Sequence, residues 1–206
     1  MAAKPWSKTI VTPEGIALYP RLNEPDARFG EPRYEVTIKF TGEEAEKIKA
    51  QLETLSVEAL EQQQEVDPKF KKLKALASPL KEVLDEDGNV VEGEYTLHCK
   101  AKAFITTKQG NTVPNKPAVV DAKKNPIDVA VWGGSKIKVA VQLIPFSTFG
   151  GGLSARLKGV QVLELVTSSG VAGMFSEEDG YEADDSAKAT KKPAAAEDED
   201  EEDIDF

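Results

Sequence analysis

The stretch KAKAF, residues 100–104, sets a cation at every second position and then an aromatic ring. Side chains alternate between the faces of an extended strand, so Lys100, Lys102 and Phe104 fall on one side. Ammonium groups neutralise phosphates, and rings stack on unpaired bases at about 1–3 kcal/mol each. A Phe on a wet strand face gains nothing from the hydrophobic effect until something covers it. The same alternation recurs. SKIKVAVQLIPF (135–146) sets Lys136 and Lys138 opposite Ile137, Val139, Val141 and Leu143. LSARLKGVQVLELV (153–166) carries Arg156 and Lys158 on one face, and RYEVTIKF (33–40) carries Lys39 beside Arg33, Glu35 and Thr37. Trp6, Trp132, Phe146 and Phe149 lie near loops containing Gly or Pro, where rings also meet bases.

Each residue has a plainer explanation. Exposed strand lysines blunt sheet edges, and Phe104 fits equally well under a covering helix. The clustering weighs against this. Between Tyr95 and Val160, nine Lys and one Arg stand against only Asp121 and Asp128, a net of +8. The whole chain, at −10, looks acidic until it is divided. Residues 176–206 hold 14 of the 36 acids and only three Lys, a net of −11. Residues 1–175 hold 22 acids and 23 bases, a net of +1. A basic region and an acidic tail in one short chain point to a nucleic-acid site with an acidic mimic attached. Phosphate attraction alone does not separate single strands from duplex.

Other chemistry is poorly served. The single histidine, His98, adjoins the single cysteine, Cys99, but neighbours on a strand face opposite ways, and zinc needs more ligands. WGGSK and FGGG lack the spacing of a phosphate-binding loop. DEDGN (85–89) reads as a turn rather than a calcium loop. No nucleophile, base and acid set can be assembled, so no enzyme, metal or cofactor is expected. One cysteine excludes an internal disulfide framework and fits a reducing compartment. MAAKPWSKTIV has no long apolar run, and no stretch reaches the ~20 apolar residues of a membrane span. A soluble, cytoplasmic protein with no membrane association is the expectation.

The elements that must position these residues are mostly strands. TIVTPEGIALYP (9–20) reads as strand, turn, strand. Tyr34, Val36, Ile38 and Phe40 share the inner face of residues 33–40. EYTLHCKAKAFITT (94–107) points Tyr95, Leu97, Cys99, Ala101, Ala103 and Ile105 inward. PAVVDA (117–122) is a short strand. One helix interrupts them. Thr41 opens a capping box with Glu44, and Ala45, Ile48, Leu52, Leu55 and Ala59 follow at helical spacing over roughly 42–65. PKFKKLKALAS predicts a second, short helix over 68–78. The pattern is mainly β: a small antiparallel barrel with a helical insertion at about 42–78, occupying 1–168. Periodicity ends after Ser168, and residues 169–206 are expected to be a disordered acidic tail. Eight of the last ten residues are acids, yet the tail also carries Ile204 and Phe206. Acids stand in for phosphates and a ring for a base, so Asp203, Ile204, Asp205 and Phe206 read as a partner-binding end.

Several segments, read in order, resemble a family. RFGEPR (28–33), WGGSKIKV (132–139), LIPF (143–146), VQVLELV (160–166) and an acidic tail ending in DF are similar to the single-stranded DNA-binding proteins of T7-like phages. The resemblance runs, with gaps, across most of the chain and is strongest at 132–166 and at the terminus. It implies an OB-fold, a five-stranded barrel, that coats and protects single-stranded DNA in phage replication, recombination and repair. By position, it puts Arg33, Lys136, Lys138 and Phe146 on the basic, aromatic surface and matches Phe206 to the terminal aromatic. Phe146 replaces a tyrosine of the family; the loop after it is shorter, and the insertion at 42–78 differs. The implied partners are single-stranded DNA and, through the tail, the replicative DNA polymerase and helicase/primase of an infected bacterium. A tendency to dimerise through the tail is also implied. The alternative is an acidic-tailed chaperone or adaptor that binds duplex DNA or RNA.

Overall fold

The computed structural model describes residues 5–166 apart from Phe29 and Lys108. The expected disordered tail, including Asp203, Ile204, Asp205 and Phe206, lies outside the described residues. In chain order the elements are β1 (Lys8–Val11), β2 (Gly15–Asp26), β3 (Arg33–Thr41), α1 (Gly42–Val66) and β4 (Leu80–Leu84). There follow β5 (Val90–Lys102), β6 (Phe104–Thr106), β7 (Thr112–Pro114), β8 (Ala118–Val120), β9 (Lys136–Phe146) and β10 (Gly152–Glu164).

Alternation builds the wall. Tyr34, Val36, Ile38 and Phe40 of β3 are buried, as are Leu97, Cys99 and Ala101 of β5 and Ile137, Val139, Val141 and Leu143 of β9. Each strand therefore offers one apolar face, and the sheet buries all of them by closing on itself. β2 pairs β3, β3 pairs β5, β5 pairs β10, β10 pairs β9, and β9 returns to β2. This ring of five strands is the OB-like barrel, and one of its contacts is parallel: β10 meets β5 at Arg156 and Lys100. β1, β4 and β8 extend the wall by pairing β9, β5 and β10.

α1 is the inserted helix. Its stripe of Ala45, Ile48, Leu52, Leu55 and Ala59 is buried, and it packs against β3, β5 and β9. Local details depart from expectation. Thr41 stands at the N-cap but its side chain makes no capping hydrogen bond; Gly42, at φ 58, turns the chain into the helix instead. The second helix shrinks to one 3-10 turn, Pro68–Phe70, because the following residues are drawn into an extended bridge. There the Ala77 N–H donates to the Gly151 carbonyl at 3.1 Å, and the Leu153 N–H donates to the Ala77 carbonyl at 3.1 Å.

Candidate nucleic-acid interface

The outer face of the barrel is assembled by register. Antiparallel pairing sets Arg33 opposite Lys102 and Glu35 opposite Lys100. The parallel contact then sets Lys100 opposite Arg156, which is itself opposite Gln142 of β9. On the other side Glu35 is opposite Arg21 of β2. One row across the wall therefore reads Arg21, Glu35, Lys100, Arg156, Gln142. Arg33, Lys100, Lys102 and Arg156 surround a concave pocket of about 350 Å³, completed by Glu31, Ala101 and Ser154.

The charges in this pocket are only partly balanced. Glu31 reaches Lys102 at 2.5 Å from the turn after β2, and Glu35 reaches Arg33 at 3.2 Å and His98 at 3.8 Å. Lys100 and Arg156 have no ion-pair partner among the described residues. Two like-charged pairs thus stand directly opposite each other, an arrangement that costs stability on a sheet. His98 lies beside them, hydrogen-bonded through Nδ1 to the Thr37 hydroxyl at 3.1 Å. Burial pulls its pKa below the ordinary value, against the upward pull of Glu35. Behind it Cys99 is wholly buried, and burial pushes its thiol up to about 12.

Not every expected cation joins the group. Lys39, six residues beyond Arg33, is paired with Glu94 at 2.7 Å. Lys136 is paired with Glu164 across the β9–β10 ladder at 2.8 Å, which holds its pKa up. Lys138 faces Gln161 in the same ladder, and Lys158 falls at a β-bulge between Leu157 and Gly159; neither has an ion-pair partner among the described residues. Lys136 and Phe146 sit ten residues apart on one strand, about 33 Å at ~3.3 Å per residue. Lys136 and Lys138 therefore lie towards the end of the β9–β10 ribbon far from Phe146, and Lys158 lies midway.

The rings are distributed around this face. Phe146, 39% exposed, leans over Gly152, where an added Cβ would lie 2.8 Å from its Cζ. Its neighbouring pair, Ile144 and Ser154, leads directly into the pocket. Phe104 is 51% exposed, but not by continued alternation. β5 ends at Lys102, where Ala103 bonds back to Pro32, and Phe104 opens a separate β6–β7 hairpin opposite Pro114. Ile105, expected inward, is exposed for the same reason. Trp132, 48% exposed, lies beside β2 rather than beside the pocket. Trp6 is unavailable for stacking: it is buried, and its indole N–H donates to Glu58 Oε1 at 3.2 Å. Arg21 and Glu31 escaped the sequence reading because nothing local marks residues 21–26 as strand or reveals which turn meets Lys102.

No protein-family model matches the chain, and no curated protein sequence does. Solved structures do match. The chain aligns with gp2.5, a single-stranded DNA-binding protein encoded by bacteriophage T7, at a TM-score of 0.59 and 24% identity, covering 87% of this chain and 100% of that one. It also aligns with the single-stranded DNA-binding protein of bacteriophage Enc34, solved in complex with ssDNA, at a TM-score of 0.50 and 18% identity, covering 79% of this chain and 89% of that one. A C-terminal truncation of the Enc34 protein matches at 0.52 and 18%, over 77% and 87%. The barrel, with its helix inserted between β3 and β5, therefore has the fold of these phage proteins.

Proposed function

We propose that this chain binds single-stranded DNA across the outer face of β3, β5 and β10. The observation that carries the reading is the like-charged pocket: Arg156 opposite Lys100, Arg33 opposite Lys102, with Lys100 and Arg156 lacking carboxylate partners among the described residues. A polyanion relieves the repulsion that the fold otherwise tolerates. The half-exposed rings of Phe104 and Phe146 favour a single strand, because their faces offer stacking to bases that a duplex keeps paired. Proteins of the same fold from phages T7 and Enc34 are single-stranded DNA-binding proteins, the second solved with ssDNA bound.

On this reading the chain coats and protects single-stranded DNA during phage replication, recombination and repair in the infected cell, and it is a binding protein rather than an enzyme. Lys136, Lys138 and Lys158 extend the phosphate track along β9 and β10, and Lys39 joins it once Glu94 yields. The acidic tail competes with DNA for the cations. Its end, Asp203 to Phe206, recruits the replicative polymerase and helicase/primase, and tail exchange between two copies gives a homodimer.

The test is the affinity of a labelled oligonucleotide of about 30 bases against a duplex of equal length at matched salt. The single strand binds more tightly. Lys100→Ala and Arg156→Ala each weaken binding regardless of sequence and lower the slope of log affinity on log salt by about 0.7. Equal affinity for duplex supports the chaperone alternative, since cations alone do not discriminate. Wild-type affinity and slope in both variants refute the pocket.

A further inference from the structure

We propose that β2 and the segment leading into β9 form a second, base-holding notch that extends the DNA track beyond β3, β5 and β10. Its ligand is an unstacked nucleobase of the same single strand, so the inference rests on the proposed function. The notch, about 260 Å³, lies between Pro20 and Arg21 of β2 and the ring of Trp132. Buried Leu22 and Val131 give it an apolar floor, Asn23 adds an amide to its lining, and the Glu24 carboxylate beside Arg21 favours a base rather than a phosphate in the notch itself. The segment bearing Trp132 is fastened to β2: the Gly134 N–H donates to the Ala17 carbonyl at 2.9 Å. The Ser135 N–H donates to the Trp132 carbonyl at 3.2 Å. The exposed indole is thus held on a braced backbone.

Placement is the first argument. Arg21 is opposite Glu35, which is opposite Lys100, which is opposite Arg156. Neighbouring strands lie ~4.8 Å apart, so Arg21 stands roughly 10 Å from Lys100 along this row. A nucleic-acid strand crossing the barrel wall at right angles to its strands passes from the like-charged pocket over Glu35, whose carboxylate is engaged by Arg33, and then meets Arg21. Arg21, like Lys100 and Arg156, has no ion-pair partner among the described residues.

Strain is the second. Tyr19 has φ 49, a conformation that bulky residues resist, and it precedes Pro20, where the backbone is further confined to extended geometry. The register shift between Leu18 and Arg21 absorbs the distortion. Its result is a tyrosine 85% exposed immediately before Pro20 of the notch, with no hydrophobic return in the free chain. Strain of this kind persists where it aims a side chain at a ligand.

The chemistry matches a nucleobase. The indole offers a stacking face, the proline and the apolar floor exclude water, the Asn23 amide can both donate to and accept from a base edge, and the Arg21 guanidinium meets the adjoining phosphate.

The experiment uses the full chain and an oligothymidylate of about 30 nucleotides. The chain has two tryptophans and Trp6 is buried, so quenching of intrinsic fluorescence by the bound oligonucleotide reports on Trp132. Trp132→Ala and Tyr19→Ala each bind about 5- to 150-fold more weakly than wild type, the range for one lost stacked base. Trp132→Phe, which keeps a ring and guards against a folding artefact, stays near wild type. Wild-type affinity in both alanine variants, or a Trp132→Phe variant as weak as Trp132→Ala, overturns the notch while leaving DNA binding in place. A wild-type chain that binds no oligonucleotide overturns the proposed function, and the notch with it.

Discussion

His98 shows how closely the residues of the pocket are coupled. It sits on the outer face of β5 between Thr37 and Glu35, and burial lowers its pKa while the Glu35 carboxylate raises it. The net shift is downward, so the folded chain resists protonation more than the unfolded chain does. Between the lowered value and the ordinary one near ~6.5, the unfolded chain binds more protons. This residue's contribution to stability is therefore complete above about pH 6.5 and is lost as pH falls through that window. Thermal unfolding of wild type and His98→Asn, compared at neutral and mildly acid pH, should show the variant losing less stability on acidification. An equal loss would mean that burial of the imidazole has no energetic weight. Glu35 is the residue whose meaning the sequence concealed. It was legible as an outward neighbour of Arg33, but its position between Arg21 and Lys100 exists only through pairing with β2 and β5.

Elements divide into those that declare themselves by period and those that do not. β3, β9, the second half of β5 and α1 were legible because each alternates buried residues with more exposed ones at its own period, so hydrophobic spacing identifies them. The later half of β2 was not: it is bulged, its residues are mostly half-exposed, and it contains two prolines. Residues 71–78 have helical spacing, but Ala77 is taken into backbone bonds with Gly151 and Leu153 at the start of β10, a tertiary demand that outweighs local propensity. The parallel contact between β5 and β10 was equally hidden, and it brings Arg156 to Lys100. The same holds for the partners of Lys39 and Lys136, whose glutamates come from neighbouring strands. α1 packs against β3, β5 and β9 and lends no residue to the pocket. Leu52 is fully buried beneath it, and Leu52→Ala should lower stability by about 2–5 kcal/mol in urea unfolding. DNA affinity below the transition should be unchanged; a parallel loss would place the helix in the binding surface.

At the scale of the whole chain the proposed function raises the question of how a protein of net charge −10 would attract a polyanion. The answer lies in segregation: residues 1–175 are close to neutral at +1, residues 95–160 carry +8, and residues 176–206 carry −11. Field depends on local charge, because at ordinary salt a charge is felt over only about 8–10 Å. On the proposed function the pocket cations would therefore act on DNA largely undiminished by acids elsewhere, unless those acids come close. A segment tethered to the same chain competes for such a site at an effective concentration of order millimolar. If its own affinity resembles ordinary non-specific polyanion binding, near ~0.1 mM, the competition weakens DNA binding about tenfold. Deletion of Glu197–Phe206 removes eight acids, so it should tighten single-stranded DNA binding by about that factor at low salt. The advantage should shrink as salt rises, because screening weakens tail and DNA contacts together. Titrations of the full and shortened chains from low to moderate salt measure both effects. Identical affinities at the lowest salt would mean that the acids never reach the pocket, and that the polyanionic segment serves partners other than its own barrel.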